Sequence, residues 1–155
     1  MELMKKFTLI VALIFGVFSV SFGQIENPVK WEYTARKISD KTYEIHLTAV
    51  IDANWHVYAQ EAGEGPEPTT IKFTANPLVK REGKVKEIGK LESAYDPNFR
   101  STLRYYAQKV DFVQKVKTKT AANTIVNGTI TYMVCNDRKC LPPKEIPFSV
   151  KLNGK

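Results

Sequence analysis

Only two of the 155 residues are cysteine and only two are histidine. A structural zinc site takes four such ligands, usually with its cysteines closely spaced. Cys135, Cys140, His46 and His56 are only just enough in number, and their spacing is too wide to favour one. No glycine-rich phosphate loop and no ligand cluster occurs, so no metal, nucleotide or flavin cofactor is expected. Arginine-rich blocks are absent too. The formal net charge of +7 rests on lysines spread along alternating segments (Lys80, Lys84, Lys86, Lys109, Lys115), as on the wet faces of a sheet. That spread argues against a nucleic-acid partner or an anionic membrane surface. Beyond the amino terminus no stretch has helical periodicity, and no internal repeat or low-complexity segment is found.

The one long apolar run is Leu9 to Val20, preceded by Lys5 and Lys6 and followed by small residues around Ser21 and Gly23. This is the pattern of a secretory signal spanning residues 1–23, and the run is short for a membrane span. An uncleaved anchor is the alternative. No cysteine adjoins the expected cleavage point, which disfavours a lipid anchor. Residues 24–155 then form one domain, large enough to bury a core without help from a disulfide. The expected location is outside the cytoplasm, with no membrane attachment after cleavage.

What remains reads as strands. Val29, Trp31 and Tyr33 alternate with charged or small residues, and Tyr43, Ile45, Leu47, Ala49 and Ile51 keep a regular period of two. Ser39-Asp40-Lys41 supplies the turn between them. Asn54 to Ala59 is a short strand with Trp55 and Val57 on one side and His56 and Tyr58 on the other. His56 reads as a packed or surface histidine, since no second histidine or acid lies at a motif spacing. Glu61 to Pro68, EAGEGPEP, is a surface loop. Thr69 to Thr74 and, more weakly, Lys84 to Ile88 resume the alternation. Leu91 to Arg100 breaks it with Asp96-Pro97-Asn98, strong turn chemistry bracketed by Tyr95 and Phe99. Those rings either tuck into the core or form a lid. Leu103 to Ala107 and Val110 to Val116 are two further strands. Asn127-Gly128 reads as a bulge in one continuous strand, and Ile146 to Leu152 as the last core strand. Short strands at regular spacing imply an all-β, antiparallel sandwich.

Both cysteines lie in TITYMVCNDRKCLPP, from Thr129 to Pro143. Ile130, Tyr132 and Val134 alternate into Cys135, and four polar residues, Asn136 to Lys139, separate it from Cys140. Pro142 and Pro143 cannot donate ladder hydrogen bonds, which pushes Cys140 toward an edge or turn. The spacing permits a disulfide across the turn, and an exported chain could keep one. As a staple it would contribute only about 2 kcal/mol, because the loop it closes is so short. An immunoglobulin intersheet bridge needs a tryptophan between distant cysteines, and Trp31 and Trp55 both lie upstream. Spacing alone leaves open a staple, a working redox pair, and free thiols or a metal ligand pair.

NWHVYAQ, PEPTTIKF, LESAYDPNF and above all YMVCNDRKCLPP resemble the amino-terminal periplasmic domain of the thiol:disulfide interchange protein DsbD, the disulfide bond corrector family. The resemblance covers nearly all of the chain after the signal. It implies an immunoglobulin-like sandwich that passes reducing equivalents from a thioredoxin-like donor protein to periplasmic acceptor proteins containing disulfides. By that resemblance Cys135 and Cys140 are the redox pair, and Cys140 forms the mixed disulfide with partners. Tyr95, Asp96, Asn98 and Phe99 match the family's cap loop, whose aromatic shields the disulfide until a partner displaces it.

Two departures accompany the match. Four residues separate the cysteines where some members have five, and the acidic pair often found in the cap is replaced by Asp96 followed by Pro97 and Asn98. The 155 residues also hold neither the electron-conducting transmembrane domain nor the thioredoxin-like domain of full-length DsbD, so the expected donor is another protein. Arg138 and Lys139 beside Cys140 favour its thiolate, and Asp137 opposes them. The competing expectation is a non-catalytic exported binding module with an inert structural disulfide.

Overall fold

The computed structural model describes residues 26–97, 99–121 and 123–153. The expected signal and Asn98 lie outside the described residues. Nine strands run through them: β1 (Val29–Ser39), β2 (Thr42–Ile51), β3 (His56–Tyr58), β4 (Thr70–Phe73), β5 (Val79–Asp96), β6 (Ser101–Thr118), β7 (Thr124–Tyr132), β8 (Val134–Cys135) and β9 (Lys144–Leu152). All pairings are antiparallel. The larger sheet has the order β1-β2-β6-β3-β8, with β5 on the other side of β6, and the smaller has the order β4-β7-β9.

The regular alternation of β2 sends Tyr43, Ile45, Leu47, Ala49 and Ile51 into the space between the sheets. Phe112, Val110 and Val116 of β6 lie beside them, and Val126, Ile130, Phe148, Val150 and Leu152 face them from the smaller sheet. Trp31 closes one side, its ring 5.9 Å from that of Phe112 and edge-on to Tyr132 at 5.3 Å. Each such side chain contributes about 1.5–3 kcal/mol by burial. The core therefore outweighs a short-loop disulfide many times over.

Several elements differ from the expectation. The weak strand at Lys84 to Ile88 is the middle of β5, which extends through Leu91 to Asp96. The break expected from Leu91 to Arg100 is thus mostly strand, and among the described residues only Pro97, Phe99 and Arg100 turn. Ladder bonds to β6 hold this charged segment straight where its own periodicity is faint. The two strands expected from Leu103 to Val116 are one. β6 passes through Gln108 at φ 66°, where its neighbour on one side changes from β2 to β3. Chain continuity at Asn127-Gly128 holds, but without a bulge, since the register with β9 is unbroken. Glycine serves close packing there: a Cβ on Gly128 would lie 2.2 Å from the Lys72 carbonyl oxygen and 2.4 Å from Phe148 Cζ.

Candidate active site

The site forms where one strand line changes sheets. β7 belongs to the smaller sheet, the chain crosses at Met133, and β8 joins the larger sheet by pairing with β3. This places Cys135 opposite His56 and Val134 opposite Val57. Asn136 then shapes the turn. Its backbone N–H donates to the Lys139 carbonyl at 2.9 Å, and its side-chain oxygen accepts the Arg138 and Lys139 N–H groups, each at 2.9 Å. This is the local side-chain hydrogen bonding that makes asparagine a turn residue. Leu141 N–H returns to the Val134 carbonyl at 2.9 Å, and the prolines end the ladder.

Cys135 and Cys140 form a disulfide across this turn, with Sγ–Sγ 2.01 Å and Cα–Cα 4.0 Å. Their surroundings are unequal. Cys135 is only 2% exposed and sits in a small apolar cluster with Tyr58, Ala62 and Leu103, whereas Cys140 is exposed.

The tip of the β5–β6 hairpin reaches the same place. Asp96 Oδ1 accepts the Phe99 N–H at 3.3 Å, which fixes the turn, and Phe99 packs on the Cys135 cluster. Gly65 (φ +121°) makes room for that ring, because a Cβ there would lie 2.2 Å from Phe99 Cδ1. Tyr95, by contrast, is 65% exposed. A cleft of about 500 Å³ runs between the hairpin tip and the cysteine turn. Tyr95, Asp96 and Phe99 line one side, the segment from Cys135 to Cys140 the other, and His56, Tyr58 and Tyr105 the floor.

Of the basic residues beside Cys140, Lys139 is engaged: its Nζ lies 2.5 Å from Glu26 Oε2. Arg138 and Asp137 are exposed at the cleft. Burial, followed by the charge of Asp96 and then Tyr105, pushes the Tyr58 hydroxyl up to about 12, so it stays protonated at neutral pH. Burial also lowers the His56 pKa, opposed by Asp137, Asp96 and Glu92. The structure thus gathers Tyr95, Asp96, Phe99, Arg138 and Lys139 around the pair, together with three residues to which sequence reasoning gave no site role: His56, Tyr58 and Tyr105. The signal available was the shared side of His56 and Tyr58 in NWHVYA, without anything to say what that side faced.

The family model described as the N-terminal part of the thiol:disulfide interchange protein DsbD matches residues 26–151. The chain belongs to that family. Among solved structures, the N-terminal periplasmic domain of ScsB from Proteus mirabilis is similar with a TM-score of 0.58 at 18% identity. That match covers 83% of this chain but only 47% of the ScsB chain. The reduced N-terminal domain of DsbD from Neisseria meningitidis matches with a TM-score of 0.53 at 16% identity, over 81% of this chain and 86% of that one. At these identities the likeness establishes the fold, the immunoglobulin-like antiparallel sandwich. Comparison with curated protein sequences gives no match. The family is one of thiol:disulfide interchange domains, and this chain carries the disulfide-bonded cysteine pair that such chemistry requires. Among the described residues no helix is long and apolar enough to cross a membrane.

Proposed function

We propose that the domain works in the periplasm, taking reducing equivalents from a thioredoxin-like protein and handing them to exported proteins that contain disulfides. The observation that carries this reading is the inequality of the two cysteines, one an exposed residue at a cleft and the other a buried residue beside it. A thiolate attacking from a partner protein can reach Cys140 but not Cys135. In the loading half-cycle the donor thiolate attacks Cys140 Sγ, the Cys135–Cys140 bond breaks, and the electron pair leaves on Cys135. The donor's second thiol then releases reduced Cys140 and leaves the donor oxidised. In the delivery half-cycle Cys140 attacks the acceptor disulfide. Cys135 closes on Cys140, and the acceptor leaves as a dithiol.

The hairpin tip acts as the gate. Phe99, carried with Asp96 on a short turn and flanked by Tyr95, covers the buried sulfur's side of the cleft and moves aside for a docking partner. Asn98, outside the described residues, is assigned to the same cap by the resemblance alone. Arg138 favours the Cys140 thiolate, and Lys139 adds less because Glu26 holds its charge.

A thiol count tests the reading. Oxidised protein incubated with a reduced thioredoxin-like protein is expected to gain two free thiols rapidly, with matching oxidation of the donor. A pair that stays closed under those conditions is a staple, and the relay is then wrong.

A further inference from the structure

The buried member of the pair poses a chemical difficulty. To resolve a mixed disulfide, Cys135 must react as a thiolate, yet its surroundings disfavour that form. It is almost wholly buried beside Tyr58, Ala62 and Leu103, and burial in apolar surroundings raises a thiol's pKa. The charges that act on His56 at the cleft floor are acidic: Asp137 from the turn and Asp96 and Glu92 from β5. Of the cations on that turn, Lys139 is bound by Glu26 and Arg138 is exposed.

One basic group is paired with this cysteine across the strands. His56 is the residue directly opposite Cys135 across the β3–β8 pair. Such cross-strand neighbours share a face, with Cβ atoms about 4.5–5.5 Å apart. The imidazole lies 4.5 Å from the Tyr105 ring and edge-on to Tyr58 at 5.3 Å, and it lines the cleft with both cysteines. Its Nε2 is 3.5 Å from the Tyr58 hydroxyl, which leaves Nδ1 for the cysteine.

We infer that His56 accepts the proton of reduced Cys135 and holds the resulting thiolate beside its imidazolium. This rests on the exchange role proposed above. The step balances. In the mixed disulfide between acceptor and Cys140, the Cys135 S–H bond breaks and its proton passes to the imidazole. The thiolate's electron pair forms the Cys135–Cys140 bond as the acceptor–Cys140 bond breaks. The acceptor sulfur leaves with the electron pair of the broken acceptor–Cys140 bond and takes a proton from the imidazolium or water. Cys135 and Cys140 are oxidised, and the acceptor is reduced. Burial leaves the His56 ring neutral and free to accept a proton, though a weaker base than in water, and the charges of Asp137, Asp96 and Glu92 oppose that weakening by steadying the imidazolium once it forms.

The test compares the wild type with His56→Phe, which keeps a ring against Tyr105, and His56→Gln, which keeps a polar group. In a Cys140→Ser background, the ultraviolet absorbance of the Cys135 thiolate is expected to appear at a pH about one unit higher in both His56 variants. With Cys140 present, the reduced proteins are mixed with an aromatic disulfide that releases one coloured thiol at attack and a second at closure. Closure near neutral pH is expected to be about tenfold slower in both variants, with the first release unchanged. Superimposable thiolate titrations and equal closure rates would overturn the assignment. Absence of a second release in the wild type would instead defeat the exchange role itself.

Discussion

Phe99 rests on Gly65, a residue 34 positions earlier in the chain, whose φ of +121° and crowded Cβ direction exclude any side chain. Gly65→Ala is therefore expected to cost about 1–3 kcal/mol and to lift the Phe99 ring from the Cys135 cluster. Urea unfolding checks the first effect, and a several-fold faster reduction of the disulfide by a small dithiol checks the second. His56 gives a pH dependence. Its folded pKa lies below that of the unfolded chain, so the unfolded state binds the proton more readily. Stability is then fully present above the ordinary histidine pKa and is lost as pH falls through the lowered value. The oxidised protein is expected to lose melting temperature as the pH falls below the ordinary histidine pKa, and His56→Phe to lose less. The sequence made the cysteines and the turn between them legible because both residue types are locally constrained, thiols by their scarcity and prolines by their missing N–H. Gly65 and Asn136 were not legible in their roles. A glycine in EAGEGPEP reads as loop, and only the fold brings Phe99 onto it.

Among the strands, those with one buried face were plain from the chain. β2 alternates because its inner side fills the core, and β9 does so for the same reason. β5 was largely hidden. As an edge strand it carries Lys80, Glu82, Lys84, Lys86 and Glu87, so little apolar alternation remains, and β6 supplies its ladder bonds. The change of sheet at Met133 was hidden too, since both sheets ask for the same period of two. In the smaller sheet, β4, β7 and β9 pack around a buried glycine. Gly128→Ala would set a Cβ against the Lys72 carbonyl, a backbone atom that cannot swing away. A loss of about 2–3 kcal/mol is expected in urea unfolding, with the thiol chemistry intact because this glycine is remote from the cleft.

For the molecule as a whole, the core and the redox site are energetically separable. The sandwich is held by the inner faces of β2, β6, β7 and β9, while the disulfide closes a loop of only a few residues at its rim. A Cys135→Ala/Cys140→Ala variant is expected to keep the wild-type circular dichroism spectrum and to melt on the order of 10 °C lower, since about 2 kcal/mol is lost. Such independence lets the pair open and close in each turnover without unfolding its support. Exchange through the exposed sulfur is tested most directly by trapping. With Cys135→Ala, which removes the resolving thiol, a disulfide-containing partner protein is expected to accumulate as a stable mixed disulfide on Cys140, while Cys140→Ala accumulates little. Recovery of only unmodified protein from the Cys135→Ala variant, or equal trapping by both variants, would contradict the account.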